Sequence, residues 1–518
     1  MTRHEQRCEN NNRLLFEIPQ DLQKEFKSVE SSLFTNKFDN LENRNIENNR
    51  YNFRPYNKDQ SFFLMIEGGK FISENHPVAV ISAIVEKLDL LTLYEQYSNE
   101  GSPAYHPKMM LKILFYAYYD GIMSCRTIWD AVIHRYDFIY LATGEVPNFR
   151  TINRFRLKHI EILPALFTQI VLLCKELDMI GFENLAIDGE KIQANTSYRN
   201  SKNLTGIEKE YDKIKEGIKK LLEKEINEYF NEEIKEKRLS ELGDKLNKLE
   251  EYKELLKNME DKTKRVNVVD TDANIMHHKD GQILPSYTHQ SARDDMLGVV
   301  TAIQSTQTND VPEDLIILVD KSVENTGDNH ENILADCGFS SYEILEEIEK
   351  RVEDFYVPDK RFEESKKDES EKKKYSQEDF KKNEKDEIIC PNGCIMVMKQ
   401  VIENETYNIT VFEGTGCGDC PKKSKCTSGN KRTINIDSRV DLRDKMREKL
   451  QTDQGREIYI KRQGLIETVH GDDQRNKKWI QHHLKGFIKA SGEFALIRIA
   501  TNIGLIVKYR TKEILAMG

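Results

Sequence analysis

The residues with most chemistry to offer are acids set at the ends of apolar runs. Leu185, Ala186 and Ile187 lead into Asp188, and Gly189 follows. That order reads as a short buried strand with a carboxylate at its tip, where the backbone turns away. The stretch NILADCGF repeats the grammar, with Asp336 after the apolar residues and Gly338 behind it, before a helix from about Ser341 to Val352. A third acid, Glu467, lies in IYIKRQGLIETV; if that stretch is helical, Tyr459 and Arg462 share a face and Glu467 follows five residues on. An acid on a strand end is held rigidly and faces solvent, as a hard divalent cation requires. A lone Asp-Gly is an ordinary turn signal; two acids at apparent strand tips with a third on a helix are more. Converging, they would hold two Mg²⁺ ions about 3.5–4 Å apart, one activating a water or a 3′-hydroxyl and the other stabilising the leaving oxygen. Asp272 and Asp294 compete as second acid, but Asp336 fits the strand–turn–helix setting better. Asp320 reads as the cap of a strand over Leu315–Val319. His277, His278, His470, His482 and His483 read as surface or phosphate-facing residues.

Cysteine gives a second constellation. Of nine, Cys8, Cys125, Cys174 and Cys337 are scattered, and five crowd between Cys390 and Cys426. The Cys417-x2-Cys420 core and the distant Cys390-Pro391 pair make a zinc-ribbon-like arrangement of thiolates. Cys390, Cys417, Cys420 and Cys426 are the expected zinc ligands, with Cys394 spare or alternative. A thiolate site of this kind leaves no open position, so its expected role is structural.

The elements that must position these groups follow from pattern and composition. At 518 residues the chain is long enough for several domains, and no apolar run approaches a membrane span. The first residues lack a signal-peptide core, so an intracellular, cytoplasmic protein is expected. Residues 1–60 are rich in Asn and Glu and read as a weakly ordered leader. Residues 61–180 read as a helical domain, with Pro107 opening one helix, Ser124 capping another and a long helix from about Thr151 to Leu177. From 181 to 518 a mixed α/β domain is expected, interrupted by two insertions. In 203–262, Ile207, Tyr211, Ile214, Ile218 and Leu221, then Leu239, Leu242, Leu246, Leu249 and Tyr252, form two heptad-like stripes, which fits an antiparallel helical hairpin. The cysteine cluster occupies 385–430, and 358–388 is a charged, solvated loop. An apolar helix is expected over Glu493–Tyr509. Net charge is −10, which argues against a nucleic-acid partner until its distribution is seen: Pro421–Gly518 holds 22 Lys plus Arg against 11 Asp plus Glu.

Several motifs in order then make a resemblance visible. They are SPAYHPKMMLKILFYAYYDGIMSCRTI, PNFRTINRFR, AIDGEKIQANTS, DTDANIMHHKDG with PSYTHQSARDD, LADCGFSS, the cysteine cluster, and YIKRQGLIETVHG with ALIRIATNIGLI. Over roughly residues 60–515 the chain resembles a DDE transposase of a bacterial insertion sequence, of the group with a Tyr-Arg-Glu signature. The resemblance implies an RNase H-like catalytic core, a helical N-terminal domain that binds terminal inverted repeats of double-stranded DNA, and Mg²⁺ or Mn²⁺ held by Asp188, Asp336 and Glu467. It matches Tyr459 and Arg462 to residues that contact DNA phosphate. The family's Lys seven residues after the last acid is here Gln474, with Arg475 beside it as the substitute DNA contact. A homodimer on DNA fits, since two element ends are cut together. The alternative is a decayed or repurposed transposase that only binds DNA.

Overall fold

The structure is a computed structural model. It describes residues 75–98, 100–223, 232–257, 265–308, 311–365, 377–383, 387–471 and 479–517, with 54, 72–73, 375 and 477 as short pieces. Side chains at 232–234, 255, 363–365, 378 and 466–471 lie outside that description. So do the leader, apart from Arg54, and both Gln474 and Arg475. The chain divides into two compact units, one of residues 1–118, 122–162 and 514–518, the other of 119–121 and 163–513.

The first unit is helical. Pro77 opens α1 (Pro77–Lys87), where His76 Nδ1 accepts from the Val78 amide, and Val78, Ile81, Ile84 and Val85 form its buried face. After the single turn α2 (Leu91–Tyr94) comes α3 (Pro107–Tyr119), buried from Met109 to Tyr118 on every face, as a central helix must be. Its one buried cation, Lys112, is paired with Glu86 at 2.5 Å. Helices α4 (Cys125–His134), α5 (Tyr136–Leu141) and α6 (Phe149–Lys158) complete the unit. Ser124 precedes α4 as read, but its side chain accepts no capping hydrogen bond. Asn148 caps α6, its Oδ1 accepting from the amides of Arg150 and Thr151 at 3.0 Å. The single long helix expected over Thr151–Leu177 is two: α6 ends at Lys158, a 3-10 turn spans Ile160–Ile162, and α7 (Leu163–Glu176) starts anew. Pro164 explains the break, because it has no N–H to continue the ladder and disfavours a helical residue before it.

The second unit is built on a mixed sheet. The long β1 (Asn184–Gln193) is central. The pair β2 (Ser201–Lys202) and β3 (Val266–Asn267) closes the base of an inserted hairpin, α8 (Leu204–Leu222) and α9 (Glu232–Lys257). Ile207, Tyr211 and Ile214 meet Leu249 and Tyr252 across it, so the two apolar stripes face each other. The sheet continues with β4 (Asn274–His277), β5 (Ile283–Asp294), β6 (Val300–Thr306), β7 (Asn332–Leu334) and β8 (Asp354–Tyr356). Its order is β4-β5-β1-β7-β8, with β6 also on β5; β1 is antiparallel to β5 and parallel to β7, which is parallel to β8.

Residues Leu315–Val319 are not a strand. They belong to α10 (Asp314–Thr326), so Asp320 is mid-helix and pairs with Arg351 at 2.7 Å. Leu315, Leu318, Val319 and Ser322 recur at helical spacing, and the three apolar ones bury against Leu185, Ile187, Ile333 and Phe355 of the sheet. Each such apolar side chain contributes roughly 1.5–3 kcal/mol on burial. After α11 (Tyr342–Ile348) and α12 (Lys360–Ser365), two short strands, β9 (Lys381–Lys382) and β10 (Ile388–Ile389), pair ahead of a three-stranded sheet of β11 (Met396–Glu403), β12 (Asn408–Gly414) and β13 (Thr433–Asp437). The cysteines sit around the end of this small sheet, with α13 (Lys423–Cys426) among them.

Helices α14 (Val440–Gln451) and α15 (Asp453–Gly471) follow almost without a gap. Thr452 makes the corner, its Oγ1 donating to Lys449 O and accepting from the Gly455 amide. A Cβ on Gly455 would collide with Lys449 O, so only glycine permits the close turn that aims α15. The last long helix, α16 (Phe487–Tyr509), begins six residues before the expected Glu493 and is long and apolar enough to cross a membrane. Most of it is buried inside the unit, with Asn502 Oδ1 accepting from the Val300 amide, so here it is a core helix.

Candidate active site

The strand carrying Asp188 does not turn where expected. β1 runs on through Gly189 to Gln193, because β5 pairs with it from Leu185↔Asp294 to Gln193↔Ser286. Gly189 still has a reason to be glycine, since a Cβ there would approach Gln290 Cγ to 3.2 Å. What ends near Asp188 is the parallel ladder to β7, whose last pair is Ala186↔Leu334. Two residues beyond that pair on each strand stand Asp188 and Asp336. The two acids are therefore in register on neighbouring elements, each two residues past the last pair of the parallel ladder, at the carboxyl end of β7, the side on which open α/β sheets place their ligands.

Their settings differ. Asp188 is nearly buried, its side chain 10% exposed, whereas that of Asp336 is 41% exposed. Asp336 leaves β7 and caps a 3-10 turn over Cys337–Phe339, its Oδ1 accepting from the Gly338 amide at 2.8 Å. Helix α15 brings Arg462 to both acids. Its Nη2 donates to Asp188 Oδ1 at 3.0 Å and lies 3.9 Å from Asp336 Oδ2. Tyr459, one turn earlier, packs beside Leu334, Tyr356 and Leu450. The helix is pinned at two further points, by Lys461 on Glu183 at 2.8 Å and by Arg293 Nη1 donating to the Leu465 carbonyl at 2.6 Å.

The structure thus gathers Asp188, Asp336 and Arg462, with Tyr459 on the same helix. Glu467 belongs to α15, five residues past Arg462, but its side chain is outside the described ones. Asp188 and Asp336 fit a hard cation in donor chemistry and in reach, because one positive nitrogen already lies between them. Among the described residues no group of three or more His, Cys, Asp or Glu is arranged to hold a metal ion.

The competing acids have structural tasks. Asp294 is fully buried and accepts from the amides of Gly181, Phe182 and Met296, and Asp272 accepts from the Phe487 amide at the start of α16. All five clustered cysteines, Cys390, Cys394, Cys417, Cys420 and Cys426, line one small cavity with Lys422 and Arg432. Their thiols suit a soft metal, and Cys394 is as much a member as the other four; its amide donates to Cys390 Sγ at 3.4 Å.

A second cluster was not read from the sequence. Glu190, two residues past Asp188 and on the same face of β1, pairs with buried Arg498 of α16 at 2.5 Å. Glu493 on that helix is fully buried and is met by His482 Nδ1 at 2.9 Å and His483 Nδ1 at 3.2 Å. Burial alone would raise its carboxyl, but the hydrogen bonds from the two histidines outweigh this and hold it below the usual carboxylate range. His482 is therefore not a surface residue; it is 2% exposed and faces His289 with the two Nε2 atoms 2.8 Å apart. Burial, with His482 and Arg498 nearby, holds His289 well below the usual imidazole range. The available signal was charge within an apolar helix, at Glu493 and Arg498 of EFALIRIATNIGLI.

Comparison with known proteins gives two matches. Residues 67–158, which carry the described helices of the first unit, match a transposase domain family. Residues 389–507, from the cysteine cluster through α15 to α16, match a transposase DDE domain family. The second match implies an RNase H-like core, and the mixed helix-and-strand make-up of the chain fits it. No curated protein matches the chain. The two matches bear out the resemblance carried by the motifs: this chain is similar to the DDE transposases of insertion sequences.

Proposed function

We propose that the chain cuts and rejoins DNA strands at the ends of an insertion sequence, with Asp188, Asp336 and Glu467 as its carboxylate set. The observation that carries this reading is the meeting of Asp188 and Asp336 at one cationic nitrogen, on neighbouring elements, beside the helix that bears Glu467. Bound there, a pair of Mg²⁺ or Mn²⁺ ions would supply a nucleophilic oxygen and stabilise the leaving one. The chain's own part is to fix the acids. β1 holds Asp188 against β5, the 3-10 turn holds Asp336, and α15 carries Tyr459 and Arg462, which are assigned to phosphate. Arg475 is assigned the same duty at the terminal DNA.

Duplex binding is assigned to the helical unit. Arg150 and Arg154 are exposed one turn apart on α6, Arg126 is exposed on α4, and the rings of Trp129 and Phe149 pack between them. Among the described residues none of these three arginines has an acidic partner, so their charge is available to phosphate. Zinc is assigned to the cysteine cluster as a structural ion, supported by five thiols on one cavity.

The test uses a duplex carrying the inverted repeats that flank the reading frame, incubated with Mg²⁺ and either the protein or its Asp188→Ala variant. Metal-dependent nicking or joining by the first and not by the second is expected; equal activity in both, or none in either, rejects the reading. The DNA-binding-only alternative, prompted by Gln474, predicts that both proteins retain the duplex and neither cuts it.

A further inference from the structure

The geometry points to Arg462 as a built-in rival of the catalytic cation, one that releases Asp188 and Asp336 to it and turns to a DNA phosphate. This rests on the functional reading above. The first observation is position. A single nitrogen, Nη2, lies 3.0 Å from Asp188 Oδ1 and 3.9 Å from Asp336 Oδ2, so the guanidinium uses the oxygens a divalent ion would use. A guanidinium and a divalent ion cannot share those lone pairs at ligand distance, because each carboxylate oxygen facing the gap has one inward direction to offer. The second is enclosure. Arg462 is only 17% exposed at its side chain and Asp188 10%, so the pair is screened little by water and the competition has weight.

The third is incompleteness. Arg462 Nε is buried with no hydrogen-bond partner among the described residues. A buried N–H without an acceptor is costly, so this position of the guanidinium is not its best one. A phosphate beside α15 would offer the planar, bidentate acceptor that suits a guanidinium. With a phosphate in place Arg462 leaves the acids, and their affinity for the cation rises. Binding is reciprocal, so cation and DNA each strengthen the other. The protein therefore holds its carboxylate pair closed by an internal ion pair until substrate arrives.

The probe is Mn²⁺ alone, followed by electron spin resonance and calorimetry on the full chain without DNA. Arg462→Gln is expected to bind Mn²⁺ about tenfold more tightly than the unchanged protein, the size of one charge-assisted hydrogen bond. Lys461→Gln removes the same charge one residue away and is expected to change the affinity less than about twofold. Adding a short duplex should tighten Mn²⁺ binding in the unchanged protein and not in Arg462→Gln. Equal or weaker binding in Arg462→Gln overturns the proposal, as does tightening that persists when Asp188→Asn is added. If Asp188→Asn leaves Mn²⁺ binding unchanged in a protein whose circular dichroism is intact, the functional reading falls with it. If Mn²⁺ binds through Asp188 alike with and without Arg462, the rivalry alone is wrong.

Discussion

Glu190→Gln should be the most damaging conservative change in the second unit outside the proposed site. The carboxylate faces Arg498 Nη2 at 2.5 Å, and the two side chains are 8% and 1% exposed. Charge centres about 4 Å apart at an effective dielectric near 20 attract by about 4 kcal/mol. Breaking a buried pair from one side usually costs about 3–5 kcal/mol, because a charge is left in a poor solvent. Arg498 also lies over the Phe494 ring at 4.9 Å, which keeps part of its stabilisation. The expected loss is therefore about 3 kcal/mol. Removing both charges together, in Glu190→Leu with Arg498→Met, should cost less than Glu190→Gln alone. The assay is urea unfolding at neutral pH in a Trp129→Phe background. The remaining Trp479 is fully buried and stacks on Phe494, so it reports on this part of the core. A loss under about 1 kcal/mol for Glu190→Gln, or a double variant weaker than the single one, would refute the reasoning.

Acid should weaken the same core. His289 has a folded pKa below its unfolded value, so the unfolded chain binds more protons, and stability is lost as pH falls through about 6.5. The steepest contribution of one such group is about 1.4 kcal/mol per pH unit, and His289→Gln should flatten the stability profile between about pH 7 and 5 by up to that slope. A profile unchanged by the substitution would show that His289 is not the group. The cysteine module should hold about one zinc per chain in reducing buffer, and Cys417→Ser should lose it; metal analysis that finds none in the unchanged protein removes the zinc assignment. Arg150→Ala with Arg154→Ala should weaken duplex binding at all sequences or at the repeats only. Either way the slope of log affinity against log salt should fall by about one for each phosphate left without its arginine, and an unchanged slope would take α6 out of the interface.

Asp188 and Asp336 could be singled out because strand and turn grammar is local, yet the grammar misplaced its own cause. Asp188 was read as a strand tip, but β1 continues through Gly189, and what stops is the pairing with β7. Pairing partners are set by tertiary register, which periodicity does not carry. Leu315–Val319 failed for a related reason: a five-residue apolar run looks the same in a buried strand and in a helix, and only Ser322 a turn later marks it as helical. The break at Pro164 was readable from that residue alone. The cysteines were found because they cluster in sequence as well as in space. Glu190, His289 and Arg498 were not, because each finds its partner on a distant strand or helix, and His482 was read as a surface residue because nothing local marks Glu493, eleven residues on, as its buried partner.

The unequal settings of the two acids bear on how the proposed site would work. Asp188 stands inside β1, paired with Ser291 of β5 although past the last pair with β7, and Glu190 ties the same strand to α16. It has little freedom to follow an ion that shifts during an in-line displacement. Asp336 stands past its last ladder pair on a short turn, four times as exposed, with one oxygen spent on the Gly338 amide and the other turned toward Arg462. The adjustable ligand is then Asp336. Lengthening Asp188 would displace the fixed point, whereas Asp336→Glu has room to re-place its carboxylate at the cost of the cap to Gly338. Asp336→Glu should therefore keep measurable metal-dependent nicking where Asp188→Glu does not, and equal loss in both would mean that the two acids are held alike.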